Sequence, residues 1–228
     1  MQDTLGVFNG YVIYNDDEYD DLDILIDKIG DKQSIVIFDK SILVKIYEFK
    51  NKPKNLIGEI NNKIQEDIPL QDDILIHYDY DNRNNKLLIY YMSGGAVIDK
   101  VCTDAKKLDV VPIQFIIKKY VEKNIKKQRK YMIVAKIKNE IYVIRVNENY
   151  IVDSHISNKI NEIINMINGI DEDEMIIIDN KLAEFINESI NFSLNCMIIG
   201  ENIYDRLFKT KKLFTKELFR KKKLKLQR

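Results

Sequence analysis

The chain has 228 residues, 45% of them hydrophobic, enough for one large domain or two small ones around a substantial core. Apolar runs of five or six residues are too short to span a bilayer, the start MQDTLGVF lacks the basic and apolar regions of a secretory signal, and two distant cysteines with two histidines exclude a disulfide framework or zinc module, so a reduced cytosolic protein is expected. The formal charge of zero is uneven: eleven basic residues against one acid give +10 over residues 206–228, leaving 25 basic and 35 acidic residues, or −10, in residues 1–205.

In chain order, Leu5–Tyr14 reads as a hairpin turning near Asn9-Gly10, followed by an acidic loop. Leu22, Leu25, Ile26 and Ile29 mark a short helix ended by Gly30. Ile35–Phe38 and Ile42–Phe49 read as strands around a tight Asp39-Lys40-Ser41 turn. A helix through Leu56, Ile57, Ile60 and Ile64 is bracketed by Pro53 and Pro69. Ile74–Tyr80 and Lys86–Met92 form a second hairpin across Asp81–Asn85. Val97, Val101, Ala105 and Leu108 suit a helix after Gly94-Gly95, then come a short strand at Val110–Val111 and a helix from about Ile113 to Lys126.

The second half has the clearer periodicity. Met132–Ile137 and Ile141–Val146 flank a Lys138-Asn139-Glu140 turn, and Tyr150–His155 supplies a third strand. Ile156, Ile160, Ile163, Ile164 and Ile167 give a helix stripe, capped by Ser157 or Asn158 and closed by Gly169. Met175–Ile178 and Cys196–Ile199 are runs suited to buried strands, with a helix through Leu182, Phe185, Ile186 and Ile190 between them. The resulting order, β-β-β-α-β-α-β, is that of the ribonuclease-H-like fold. With the first half read as a decorated version of the same unit, the expected fold class is α/β and actin-like, two ribonuclease-H-like lobes with mixed sheets around a cleft. The expected division is residues 1–112 for the first lobe with an inserted strand-helix-strand, 113–205 for the second, and 206–228 for a basic tail.

The stretch Ser34–Ile76, with its two strands, Pro53, a helix through Glu66 and then Ile68-Pro69, resembles the core of the pilus-assembly protein PilM and its secretion relative GspL. Leu87–Met92, the helix after it and Leu108-Asp109-Val110-Val111-Pro112 extend the similarity over roughly residues 34–153. The resemblance implies the cytoplasmic domain of a type IV pilus or type II secretion inner-membrane platform. Such a domain docks the assembly ATPase on one side and membrane-anchored partners on the other, as a scaffold without chemistry.

Actin-like folds are often ATPases, and their chemistry needs a glycine-bearing hairpin for phosphate with a strand carboxylate for Mg²⁺. Leu5-Gly6-Val7-Phe8-Asn9-Gly10 has two glycines but only Asp3 at the strand's edge; Ala135–Glu140 has neither glycine nor an early acid; Asp179-Asn180 stands where an adenosine site wants Gly-Gly. No cofactor is therefore expected, and an actin-like ATPase or kinase is the alternative reading. Gly94-Gly95 at a helix start can cradle an anion, though simple helix entry explains it too. His77, His155, Cys102 and Cys196 read as structural, and no nucleophile-base order or metal spacing stands out.

Two charged features call for partners. Asp16, Asp17, Glu18, Asp20, Asp21, Asp23 and Asp27 place seven acids in twelve residues, more than a helix start needs, and suit a basic partner surface. In the tail, Ile203, Leu207, Phe214 and Leu218 make an apolar stripe among Lys209, Lys211, Lys212, Lys216, Arg220, Lys221, Lys222, Lys223, Lys225 and Arg228. Such a cluster attracts anionic lipid on the cytoplasmic side of a membrane, and GspL-like proteins continue from this domain into a transmembrane helix. Nucleic-acid binding is a second alternative, weakened by the acidic body and the lack of an aromatic platform beside the basic run.

Overall fold

Runs of β-branched residues become central strands, and amphipathic segments become helices laid over them. The computed structural model describes residues 3–69, 73–125, 128–171, 173–187 and 196–199, and the basic tail with its helical stripe lies outside them. The first half comprises β1 (Asp3–Val7), β2 (Val12–Tyr14), β3 (Asp17–Tyr19), α1 (Leu22–Ile26), β4 (Lys32–Ile37), β5 (Leu43–Glu48), α2 (Leu56–Asp67), β6 (Ile74–Asp81), β7 (Lys86–Ser93), α3 (Gly95–Val101), β8 (Lys107–Pro112) and α4 (Ile113–Asn124). The second comprises β9 (Lys130–Ile137), β10 (Glu140–Asn147), β11 (Tyr150–Ser157), α5 (Ile160–Asn168), β12 (Met175–Asp179), α6 (Asn180–Asn187) and β13 (Cys196–Ile199).

Both lobes carry the same sheet. The orders are β3-β2-β1-β4-β8 and β11-β10-β9-β12-β13, an antiparallel meander extended by two parallel strands. β4 pairs parallel with β1 and β8, and β12 with β9 and β13. The actin-like class read from the sequence is thus the observed one, and the first lobe has the full strand order, decorated by an insertion. Between β4 and α3 it carries the insertion β5-α2-β6-β7, whose strands form a third sheet in the order β5-β7-β6.

Several boundaries differ from the sequence reading. The strands either side of Asp39-Lys40-Ser41 make no hairpin: β4 pairs with β1 and β8, whereas β5 crosses to pair with β7. The α3 helix ends at Val101, because Lys107 and Leu108 are taken into β8 beside Lys32 and Gln33. The β11 strand runs through Ser157, so α5 starts at Ile160, and the Ser157 hydroxyl accepts from the Lys159 amide at 3.1 Å from outside the helix. In β13, Cys196 and Ile198 are exposed, not buried, because this is the outermost strand of its sheet among the described residues.

One hydrophobic cluster crosses all three sheets. It gathers Phe8, Phe38, Leu88, Tyr90, Ile113, Ile116, Ile117, Tyr131, Ile133, Tyr142 and Ile144. The α4 helix packs into this shared core with Ile113 and Ile117 fully buried. Separate clusters seat α5 and α6 on the second sheet, α1 and α3 on the first, and α2 on the insertion. At 25 cal/mol per Å², each such fully buried aliphatic side chain stabilises by about 1.5–3 kcal/mol, which is why the shared core dictates how the lobes meet. Among the described residues no helix is long and apolar enough to cross a membrane.

Candidate functional site

In this topology the tips of the β1–β2 and β9–β10 hairpins face each other, the place where phosphate-binding backbone was sought. Here the tips touch through side chains. Lys138, at the β9–β10 turn with a φ of 51°, donates from Nζ to the Tyr11 hydroxyl at 2.9 Å and to Glu18 Oε1 at 3.1 Å. The same ammonium lies 4.5 Å from the Phe8 ring centroid and 4.9 Å from that of Tyr11. Burial lowers its pKa, but the Tyr11 and Glu18 partners outweigh burial and hold it above the ordinary lysine value. Beneath it Phe8 stacks against Tyr11 and Phe38, with centroids 4.9 and 4.2 Å apart and planes within 4°.

A second contact joins the lobes below the tips. The Asp39 amide donates to the Tyr142 hydroxyl oxygen at 2.9 Å, and that hydroxyl donates to Asp39 Oδ1 at 3.2 Å. Tyr142 is fully buried, and burial, with the Asp39 charge adding, raises its phenol well above the ordinary range.

Several residues of the kind nucleotide chemistry would use have a structural employment here. A Cβ on Gly6 would lie 3.2 Å from a Phe8 ring carbon and 3.3 Å from one of Phe38, so this glycine makes room for the ring stack. Asp3 accepts from the Gly30 amide at 2.7 Å and so fastens the end of α1's loop to β1. Gly94, at a φ of 124°, starts α3, but the anion at that helix entry is internal: Asp73 accepts from the Gly94 amide at 3.1 Å and from the Ala96 amide at 2.9 Å. Asp179 is fully buried and accepts from the Lys181 amide at 3.0 Å and the Lys136 amide at 3.4 Å, tying α6 to β9. Cys102 is half-buried among apolar side chains, and burial pushes its thiol up to about 12. Among the described residues no group of three His, Cys, Asp or Glu is placed to hold a metal ion.

The acidic cluster is an exposed edge of the first sheet rather than the loop read from the sequence. Asn15 and Asp16 both have positive φ, 51° and 72°, the backbone of a two-residue hairpin turn whose twist suits the flanking strands. Asp17 and Glu18 then sit on the edge strand β3, where charge discourages further pairing. Asp21 caps α1 by accepting from the Asp23 amide at 2.9 Å, and Asp23 pairs with Lys100 at 2.9 Å. Asp20 and Asp27 are exposed. Turn, edge, cap and first-turn positions together account for much of the run's local chemistry.

One concave apolar site lies where the insertion meets the first lobe. It is lined by Ile42 from the β4–β5 connection, Leu75 and His77 of β6, Tyr90 of β7, Pro112 at the end of β8 and Phe115 of α4, around a cavity of about 40 Å³ partly open to solvent. Phe115 stands edge-on to Tyr90 and His77, with centroids 5.2 and 6.0 Å away, and His77 stacks on Tyr90 at 5.9 Å. Tyr90 is 3% exposed, and its buried hydroxyl has no hydrogen-bond partner among the described residues. Burial, with the Asp79 charge adding, raises its phenol above the ordinary range. His77 thus belongs to an aromatic cluster, while His155 lies on β11 opposite Val143. Sequence reasoning missed this site because its lining comes from four separate stretches of the chain, each with an ordinary pattern; it missed Lys138 because nothing local marks which tip a lysine will meet.

No family model and no curated protein matches this chain. Among solved structures, a chain of the PilM-PilN type IV pilus biogenesis complex aligns with a TM-score of 0.56 at 8% identity, over 93% of this chain and 93% of that chain. The cytoplasmic domain of EpsL, an inner-membrane component of the Vibrio cholerae type II secretion system, aligns with a TM-score of 0.46 at 12% identity, covering 77% of this chain and 80% of that one. A Bacteroides thetaiotaomicron protein of unknown function with an actin-like ATPase fold gives 0.44 at 12% identity, over 84% and 93%. At 8% identity the first of these likenesses speaks for the fold alone, and with the repeated strand order it marks this chain as an α/β protein of actin-like, two-lobed architecture.

Proposed function

We propose that the chain is a non-catalytic scaffold of a type IV pilus or type II secretion inner-membrane assembly platform, docking the cytoplasmic assembly ATPase to membrane-anchored components. The observation that carries this reading is the apolar pocket between the insertion and the first lobe, in a fold shared with a chain of the PilM-PilN complex. Its aromatic walls suit an apolar side chain of an extended segment. The occupant we assign is a cytoplasmic segment of a membrane-anchored platform protein.

The rest of the molecule fits around that role. The exposed Asp16–Asp27 edge suits a basic surface of the assembly ATPase, and the basic tail from Lys209 to Arg228 suits the anionic cytoplasmic face of the membrane. Those two assignments rest on charge. No nucleotide, metal or nucleic acid has a part in this function.

The test is a titration, by fluorescence anisotropy, of labelled cytoplasmic segments of the platform's membrane-anchored proteins against the full chain and the Phe115→Ala variant. Binding weakened by ten-fold or more in the variant, with the melting temperature held within a few degrees, supports the reading. Binding untouched by Phe115→Ala moves the partner elsewhere. Calorimetric titration with ATP-Mg²⁺ is the companion arm: a Kd below roughly 100 µM, about −5.5 kcal/mol, sends the function to the ATPase alternative.

A further inference from the structure

We propose that Lys138 is a latch that holds the two lobes together at their hairpin tips, through its side chain and without a ligand. The argument begins with what converges on its ammonium group. Lys138 is the tip residue of the second lobe's hairpin, yet every partner of its Nζ belongs to the first lobe: the Tyr11 hydroxyl at 2.9 Å, Glu18 at 3.1 Å, and the faces of Phe8 and Tyr11. A cation over an aromatic face, a charge-assisted hydrogen bond and an ion pair thus fall on one group with 29% of its side chain exposed.

The receiving surface is built for it. The Phe8 and Tyr11 rings are nearly parallel, 2° apart, because Phe8 is pressed onto Phe38 from below, and Gly6 leaves the room that Phe8 and Phe38 need. A stack held this way presents its faces to the lysine without losing rotamer freedom when the contact forms. Glu18 reaches the same point from the edge strand β3, so hairpin and edge of the first lobe are both engaged.

The latch has an internal reporter. Directly below it the Asp39 amide hydrogen bonds across the lobes to the Tyr142 hydroxyl. That amide has a side chain of the other lobe as its acceptor, so its hydrogen exchange measures lobe separation, not sheet breathing. Amides of Ile133 and Ile144, in central strands of the second sheet, serve as controls for the fold.

The experiment is residue-resolved hydrogen exchange on the full chain and on the Lys138→Ala and Lys138→Arg variants, each with and without ATP-Mg²⁺. The expected result is an Asp39 amide exchanging at least ten-fold faster in Lys138→Ala, a loss of about 1.4 kcal/mol of closing free energy, with Ile133 and Ile144 unchanged. The Lys138→Arg variant keeps the cation and stays within about two-fold of the native rate. ATP-Mg²⁺ changes none of the rates. An Asp39 amide as slow in Lys138→Ala as in the native chain overturns the latch, and so does a native-chain rate that falls when ATP-Mg²⁺ is added. Should Lys138→Ala lose the Ile133 and Ile144 protection as well, the Tyr11→Phe variant, which removes one hydroxyl, replaces it, with an acceleration of about two- to five-fold expected and an unchanged rate counting against the latch.

Discussion

Replacing Gly6 by alanine tests whether the first hairpin's glycine serves packing or a ligand. The new methyl meets Phe8 Cε2 at 3.2 Å and Phe38 Cε2 at 3.3 Å, closer than ordinary carbon contacts, and neither ring is a loose surface group: Phe8 is 4% and Phe38 0% exposed. The rings cannot swing aside without breaking the stack at 4.2 Å, so the cost is that of overpacking, about 1–3 kcal/mol. Against it stands the smaller entropy of the unfolded alanine chain, about 0.4–1 kcal/mol, since Gly6 sits in a strand paired with Ile13 and Val36 in a conformation open to alanine. The net is a destabilisation of about 1–2 kcal/mol, or a melting temperature lower by roughly 2–8 °C for a chain of this size. Calorimetry reads the shift, and a Phe8→Leu background checks its cause: with the ring gone, the same Gly6→Ala change costs at least ~1 kcal/mol less. A Gly6→Ala protein as stable as the native one refutes the packing account, and one that instead loses affinity for ATP-Mg²⁺ returns the glycine to phosphate binding.

Three further outcomes are expected. Asp73→Ala, which strips the acceptor from the Ala96 amide and leaves the Gly94 amide only the Asp73 backbone carbonyl, lowers stability by about 1 kcal/mol in urea unfolding, whereas Asp73→Asn recovers part of that because its side-chain carbonyl still accepts. Glu174→Gln, at a site 1% exposed that meets Arg145 at 2.7 and 3.2 Å, costs about 1–3 kcal/mol, below the figure for a wholly buried pair because Arg145 is 36% exposed. The β6–β7 turn loosens in acid: burial raises the Asp81 pKa, but the Arg83 and Asn84 donors outweigh burial and hold it below the ordinary carboxylate value, so its contribution is complete above about pH 4 and is lost as pH falls through the lower folded value. Exchange of the Arg83 and Asn84 amides, corrected for intrinsic rates, should rise only below that point, and a loss beginning above pH 5 contradicts the assignment.

The fold was legible where one physical demand dominates a segment. Met175–Ile178 is apolar at every position because a strand between two parallel neighbours is covered on both faces, and Ile163 and Ile167 share a stripe because α5 buries one side. Reading failed where two demands compete. Asp17-Glu18-Tyr19 looks like a charged loop, yet edge strands favour such residues, and Asn15-Asp16 supplies the turn that feeds it. Leu108 continues the helical stripe of Val97 and Val101, but pairing with Gln33 in β8 wins. The missing strand carboxylate and glycines could be seen in the residues, whereas the meeting of Lys138 with Tyr11, 127 positions apart, is created by tertiary packing alone.

The pocket and the latch are parts of one solid. Ile42 and Tyr90, which line the pocket, belong to the same buried cluster as Phe8 and Phe38 under the latch and Tyr142 between the lobes. The insertion is also pinned to the second lobe at its far end, where Lys86 and Asn84 reach Glu148 in the β10–β11 turn at 3.9 and 3.4 Å. Close-packed interiors compress little, so displacing any one of these three sheets disturbs contacts with both others. Contiguity of this kind makes a switch only when the packed element has two arrangements of similar free energy. A latch that closes the lobes without a ligand biases the molecule to one arrangement, and the pocket then keeps one shape whatever the nucleotide concentration. That is the property the proposed scaffold role calls for.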